Sequence, residues 1–191
     1  CAKLLADLGA DVIRIEPPGG HPMRKMGPYV RDEAHPEKSL HWFHFNTSKR
    51  GITLDLKNSD GKELFRRLAN TADVIVETYR PGYLDRLGLG YEKLKENNPR
   101  LIMTSITPFG QTGPYRYFEG SDLIAQAMGG LMYPAGFPDA PPYRIGARQS
   151  DHCASIQAAV GTMVALYARE LTGEGQRVDV SCQEAGLQAL E

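Results

Sequence analysis

Short β-branched runs separated by helix-length segments recur along this chain, and that alternation restricts the fold more than any other feature. The runs lie at residues 11–16, 51–56, 73–77, 101–106 and 177–181. Each is apolar nearly throughout, as strands covered on both faces are. Between them, Asn58 or Ser59 caps a helix carrying Leu64, Phe65 and Leu68 on one face, and helical patterns follow near 91–96, 121–128 and 151–169. Strand–helix alternation of this kind predicts an α/β layer fold with a mostly parallel sheet and flanking helices. Residues 19–50 show no clear periodicity, hold four of the five histidines, and read as one long irregular segment.

Composition narrows the function classes. With 22 basic residues against 23 acidic ones, the net charge is -1, which argues against a globally basic nucleic-acid binder and an acidic disordered tail. No apolar run approaches the roughly 20 residues that span a bilayer. Cys1, Cys153 and Cys182 form no disulfide framework and no C-x-x-C pair, so a reducing cytoplasm is the expected location. The chain opens on Cys1 inside a helical pattern stopped at Gly9, and its last residues are helical without a stop signal. It therefore reads as a piece cut within an element at both ends.

The familiar phosphate-binding signatures are absent: no G-x-G-x-x-G follows a strand, and no G-x-x-x-x-G-K-[ST] occurs. His41 and His44 have a spacing that two metal ligands could use, but no third ligand stands nearby, and no metal site is expected. Asn46-Thr47-Ser48 matches a glycosylation sequon without any other sign of secretion. Two places could carry chemistry. Asp151 opens a long apolar helix, where free N–H groups and the dipole favour an ionised carboxylate. Such a group can be a covalent nucleophile or an ordinary N-cap. Arg80 and Arg86 follow the third strand, on a loop beyond a strand carboxyl end. They could grip a phosphorylated nucleotide or simply be solvated.

An ordered set of motifs then covers essentially the whole chain. It comprises Leu5 to Gly20 (with Glu16-Pro17-Pro18-Gly19-Gly20), Phe45-Asn46, Lys49 to Lys57, Ala72-Asp73-Val74, Arg80-Pro81-Gly82 and Leu87-Gly88-Leu89. It continues with Asn98 to Ile102, Phe109-Gly110-Gln111-Thr112-Gly113-Pro114 and Thr172 to Val178. In this the chain resembles the family III CoA-transferases (the CaiB/BaiF type), the group of formyl-CoA transferase and carnitine CoA-transferase.

The resemblance implies a Rossmann-like large domain in an interlocked homodimer. Residues 1–191 would be part of that large, CoA-binding and catalytic domain, without its first strand and without the small domain. It also implies transfer of coenzyme A from an acyl-CoA to a small carboxylic acid, with Asp151 as nucleophile. CoA would be a substrate and not a permanent cofactor, and neither nucleic acid nor membrane would be a partner. Leu54, Lys57, Thr78, Tyr79, Arg80 and Arg86 fall where the family binds CoA, and the stretch from Glu119 to Asp122 lies near it. Some positions depart from the pattern: His21 stands where an aspartate is frequent, Thr78 where formyl-CoA transferase has asparagine, and Pro17 where it has arginine. The related α-methylacyl-CoA racemases carry a histidine base just before the position of Asp122. Ser121 stands there, which favours transfer over racemisation. A CoA-binding piece without turnover is the remaining alternative.

Overall fold

The computed structural model describes residues 1–188. In chain order the elements are α1 (Ala2–Asp7), β1 (Val12–Glu16), α2 (Leu40–Asn46), β2 (Lys49–Thr53), α3 (Ser59–Ala69), β3 (Val74–Glu77), α4 (Tyr83–Arg86) and α5 (Tyr91–Lys95). There follow β4 (Ile102–Thr107), α6 (Asp122–Met128), α7 (Gln149–Thr172), β5 (Arg177–Ser181) and α8 (Cys182–Leu187). They fall into two compact units, one of Ala2–Leu68 and one running from Ala69 onward.

All strand pairings are parallel, as the apolar runs predict, but they form two sheets and not one. β1 pairs with β2, with Ile15 opposite Ile52. In the other unit β4 lies between β3 and β5, with Val76 opposite Thr104 and Thr104 opposite Val178.

Within Ala2–Leu68, the expected second strand ends earlier than 56. Asp55 turns its carboxylate to the Lys57 N–H at 2.9 Å, a local bond that competes with the ladder. The stretch 19–50 is more ordered than its pattern predicts. Ser39 caps α2 by accepting the Trp42 N–H at 3.1 Å, which sets Trp42 in a buried position. Arg24 clamps Glu16 through two bonds of 2.7 and 2.8 Å and stacks its guanidinium 4.0 Å from the Trp42 ring centre. On α3, Phe65 is buried whereas Leu64 is exposed, so the apolar face is narrower than its three candidate residues imply.

In the second unit the centre of β4 is buried throughout Ile102–Ser105. The helix α7 begins two residues before the expected start and runs 24 residues to Thr172, where Gly173 takes a left-handed cap. It is not covered on every side. Its buried face is made of small residues (Ala154, Ala158, Ala159, Ala165), and Ile156, Val160, Met163, Val164, Tyr167 and Leu171 are exposed. The small face allows close approach: Ala125 of α6, Ala154 of α7, and Cys182 and Ala185 of α8 form one core cluster. Thr162 of α7 meets Thr104 of β4 at 2.7 Å, with both side chains fully buried. At the far end Arg169 donates to the Arg100 carbonyl at 3.2 Å and pairs with Asp73 at 3.0 Å.

Candidate active site

Three helix starts converge on Asp151. It is the third residue of α7, with helical backbone, so it is not the N-cap; Arg148 occupies that position without a side-chain capping bond. The Asp151 N–H would be one of the orphan donors of the first turn. It donates instead to Asp122 Oδ1 at 3.3 Å, on the first residue of α6. The Asp151 carboxylate takes the Nε of Arg148 at 2.6 Å, an i,i+3 pair on the same turn. The Cys182 thiol, on the first residue of α8, lies near enough to the same carboxylate to feel its charge.

The electrostatics follow from that packing. Burial pushes the Asp151 carboxyl above the usual aspartate range; the Arg148 guanidinium pulls it down, and the Asp122 charge pushes it up again. The result is a half-buried carboxylate held by Arg148, a state in which such a group can act as a nucleophile. Burial, with two aspartates close by, drives the Cys182 thiol up to about 12. It therefore stays a neutral thiol at physiological pH and does not become a competing thiolate.

The sequence pattern singles out Asp151 alone. Arg148 could have been found from its i,i+3 spacing, and Asp122 and Gln126 from theirs at i,i+4 on α6. Cys182 has no local signal, because only the β5–α8 junction brings it near Asp151.

The second set of candidates forms a turn beyond β3. Glu77 ends the strand buried, and its carboxylate accepts the Tyr79 N–H at 2.7 Å. Gly82 then takes φ 76°, a left-handed conformation that glycine adopts at little cost, and starts α4. The turn leaves Thr78, Tyr79, Arg80 and Arg86 exposed. Tyr79 and Tyr83 stack with ring centres 4.7 Å apart, and Arg86 lies 6.0 Å from the Tyr83 ring centre. Arg80 pairs with Glu119 at 2.6 Å, three residues before Asp122. Two arginines beside a stacked aromatic pair offer charge for phosphate and a flat surface for a base. Tyr83 is the member that sequence reading misses; its i,i+4 relation to Tyr79 is the available signal.

Leu54 and Lys57 belong to the Ala2–Leu68 unit. Leu54 is half-buried, and its N–H continues the ladder to the Glu16 carbonyl at 2.9 Å. Lys57 is exposed on the Asp55 turn. Among the described residues no group of three or more histidine, cysteine or acidic side chains is placed to hold a metal, and no helix is long and apolar enough to cross a membrane.

Comparison with known proteins gives these arrangements a setting. The succinyl-CoA:(R)-benzylsuccinate CoA-transferase subunit BbsE of Thauera aromatica is 47% identical over 190 residues, covering 100% of this chain and 46% of that protein. The acetyl-CoA:oxalate CoA-transferase of Acetobacter aceti is 45% identical over 190 residues, covering 98% of this chain and 48% of that protein. The chain thus spans about half the length of these curated relatives. A crystal structure of a CaiB/BaiF family protein from Brucella suis superposes with a TM-score of 0.92 at 41% identity, over 99% of this chain and 50% of that one. The description of CoA-transferase family III matches residues 1–191 without interruption. A match over that full length, joined to close backbone agreement with a solved member at 41% identity, means that the chain belongs to CoA-transferase family III.

Proposed function

We propose that the protein bearing this chain moves coenzyme A from an acyl-CoA thioester to a free carboxylic acid, with Asp151 as the covalent nucleophile. The observation that carries this is the half-buried Asp151 carboxylate paired with Arg148 at 2.6 Å, within a member of this family. The Asp151 carboxylate attacks the thioester carbonyl and expels CoA thiolate, giving a mixed anhydride. The thiolate attacks the aspartyl carbonyl and releases the donor carboxylate, leaving an aspartyl-CoA thioester. The acceptor carboxylate attacks that thioester, again expelling CoA thiolate, which finally attacks the acceptor acyl carbon and frees Asp151. Each cleavage is matched by a new bond, so the thioester free energy is retained.

In this reading Thr78, Tyr79, Arg80 and Arg86, with Leu54 and Lys57, hold the CoA nucleotide. CoA is a substrate and not a resident cofactor, and the protein works in the cytoplasm as an interlocked homodimer. A sparse set of three cysteines without a C-x-x-C pair fits a reducing compartment. Ser121 is engaged as the N-cap of α6, accepting the Ile124 N–H at 3.4 Å, and offers no base for α-proton abstraction.

The full-length protein, given an acyl-CoA and a labelled carboxylic acid, should yield the labelled CoA ester. Exchange of the α-proton in deuterated water without an acceptor acid, and no ester, would establish a racemase instead. For the nucleotide, charge-assisted bonds to phosphate are worth roughly 1.5–3 kcal/mol each. Arg86→Ala should therefore weaken CoA binding about ten- to a hundredfold by calorimetry. Unchanged affinity removes Arg86 from the site.

A further inference from the structure

Gln126 lies in the middle of α6, one turn after Asp122, and is completely buried. A buried amide must find partners or lose roughly 1–3 kcal/mol for each group left unmet. Gln126 meets this through three contacts. Its Nε2 donates to Asp122 Oδ2 at 2.7 Å and to the Ile145 carbonyl at 3.4 Å, and its Oε1 accepts the Ile145 N–H at 3.1 Å. The amide therefore pairs with the backbone of Ile145 as a strand neighbour does, and holds Asp122 at the same time.

Both ends of that clamp lead to Asp151. Ile145 belongs to the segment that feeds α7, and Asp122 spends its other oxygen on the Asp151 N–H. An aliphatic side chain would fill the same volume without the cost of desolvating an amide. A buried, fully bonded amide is suited to fixing one arrangement.

We infer that Gln126 is a positioning residue for the nucleophile: by pairing with Ile145 and orienting Asp122, it sets where the first turn of α7 presents the Asp151 carboxylate. This rests on the reading of Asp151 as nucleophile and adds a residue that touches neither substrate nor the reacting atoms.

Two variants of the full-length protein test it. Gln126→Leu removes the pairing. Gln126→Glu keeps the shape but puts a second carboxyl against Asp122. The charged and titratable neighbours are Arg144, 3.7 Å from Asp122 Oδ2, then Arg148 at the N-cap of α7, Asp151 and His152 on α7, and Cys182 on α8. Two adjoining carboxyls share a proton as pH falls. The introduced acid can then donate to Asp122 and still accept from the Ile145 N–H. As pH rises the proton leaves, and the two charges repel.

The first readout is the rate of adduct formation on Asp151, followed by trapping and mass spectrometry with the acyl-CoA alone. Misplacement by about 1 Å costs about a hundredfold. Gln126→Leu should lower this rate by that factor, with KM for the acyl-CoA within about twofold of wild type if binding is untouched. The second readout is the ratio of Gln126→Glu to wild-type kcat across pH. It should rise about tenfold or more as pH falls from about 8 to about 6, while thermal unfolding stays cooperative. A merely structural role would not give that pH-dependent rescue. Wild-type adduct formation with both variants at the wild-type rate, or a ratio flat across pH, overturns the role of Gln126. Absence of any adduct on wild-type Asp151 overturns the nucleophile reading, and this inference with it.

Discussion

Asp151→Asn in the full-length protein should reduce CoA transfer by at least about a thousandfold, the scale on which losing a covalent nucleophile is felt. The amide keeps the shape and the place in the first turn of α7 but cannot form the anhydride. Mass spectrometry should find no adduct on the variant. Turnover near the wild-type level would remove Asp151 from the chemistry. The same substitution should raise the melting temperature at neutral pH. Burial lifts the native carboxyl above its unfolded value, so its favourable contribution is present at low pH and is lost as pH rises through the native value. Removing the charge removes that penalty. Arg148 opposes burial, so Arg148→Ala should move the acid limb of the rate profile to higher pH. A limb that stays in place would show that the 2.6 Å pair does not tune the nucleophile.

Gly175→Ala should cost the second unit at least about 3 kcal/mol. A Cβ there would lie 2.0 Å from the Leu101 carbonyl oxygen and 2.5 Å from the Arg100 and Leu101 carbonyl carbons, all backbone atoms. The Gly175 N–H donates to the Pro99 carbonyl at 2.8 Å, so the two segments touch just before β4 and β5 begin. No side chain can rotate away to make room. Gly146→Ala is the control: its Cβ would meet nothing within 4 Å, and the change should stay within about 0.5 kcal/mol. Denaturant unfolding of the two variants decides the matter, and equal midpoints would contradict the close approach.

What could be read from the sequence divides along physical lines. The apolar runs located the five strands of the described residues, because β-branched residues repeated over several positions leave few alternatives. Their distribution into two sheets could not be read, since pairing partners carry no local signature. α2 was missed although Ser39 stands three residues before Trp42, the spacing of a cap, because aromatic and histidine side chains blur the helical period. The start of α7 was misplaced by two residues: Asp151 looks like a cap, whereas Asp122 from another helix bonds its N–H. Asp151 stands out as a candidate through the motif order. Gln126, Cys182 and Tyr83 do not, because their meaning comes from α6, the β5–α8 junction and the turn beyond β3.

The anchoring of α7 has a mechanical consequence. A helix of 24 residues is about 36 Å long. It is gripped by Asp122 at one end, by Thr104 against Thr162 at mid-span, and by Arg100 and Asp73 against Arg169 at the other. A slip by one residue would turn the rod about 100° and advance it about 1.5 Å, and all three grips would have to release together. With Asp151 as the proposed nucleophile, the oxygen that would react is thus the tip of a shaft with bearings spread over its whole length. Wear at a distant bearing becomes misalignment at the tip. Substitutions at Thr162 or Arg169, far along the chain from Asp151, belong with those that alter its aim.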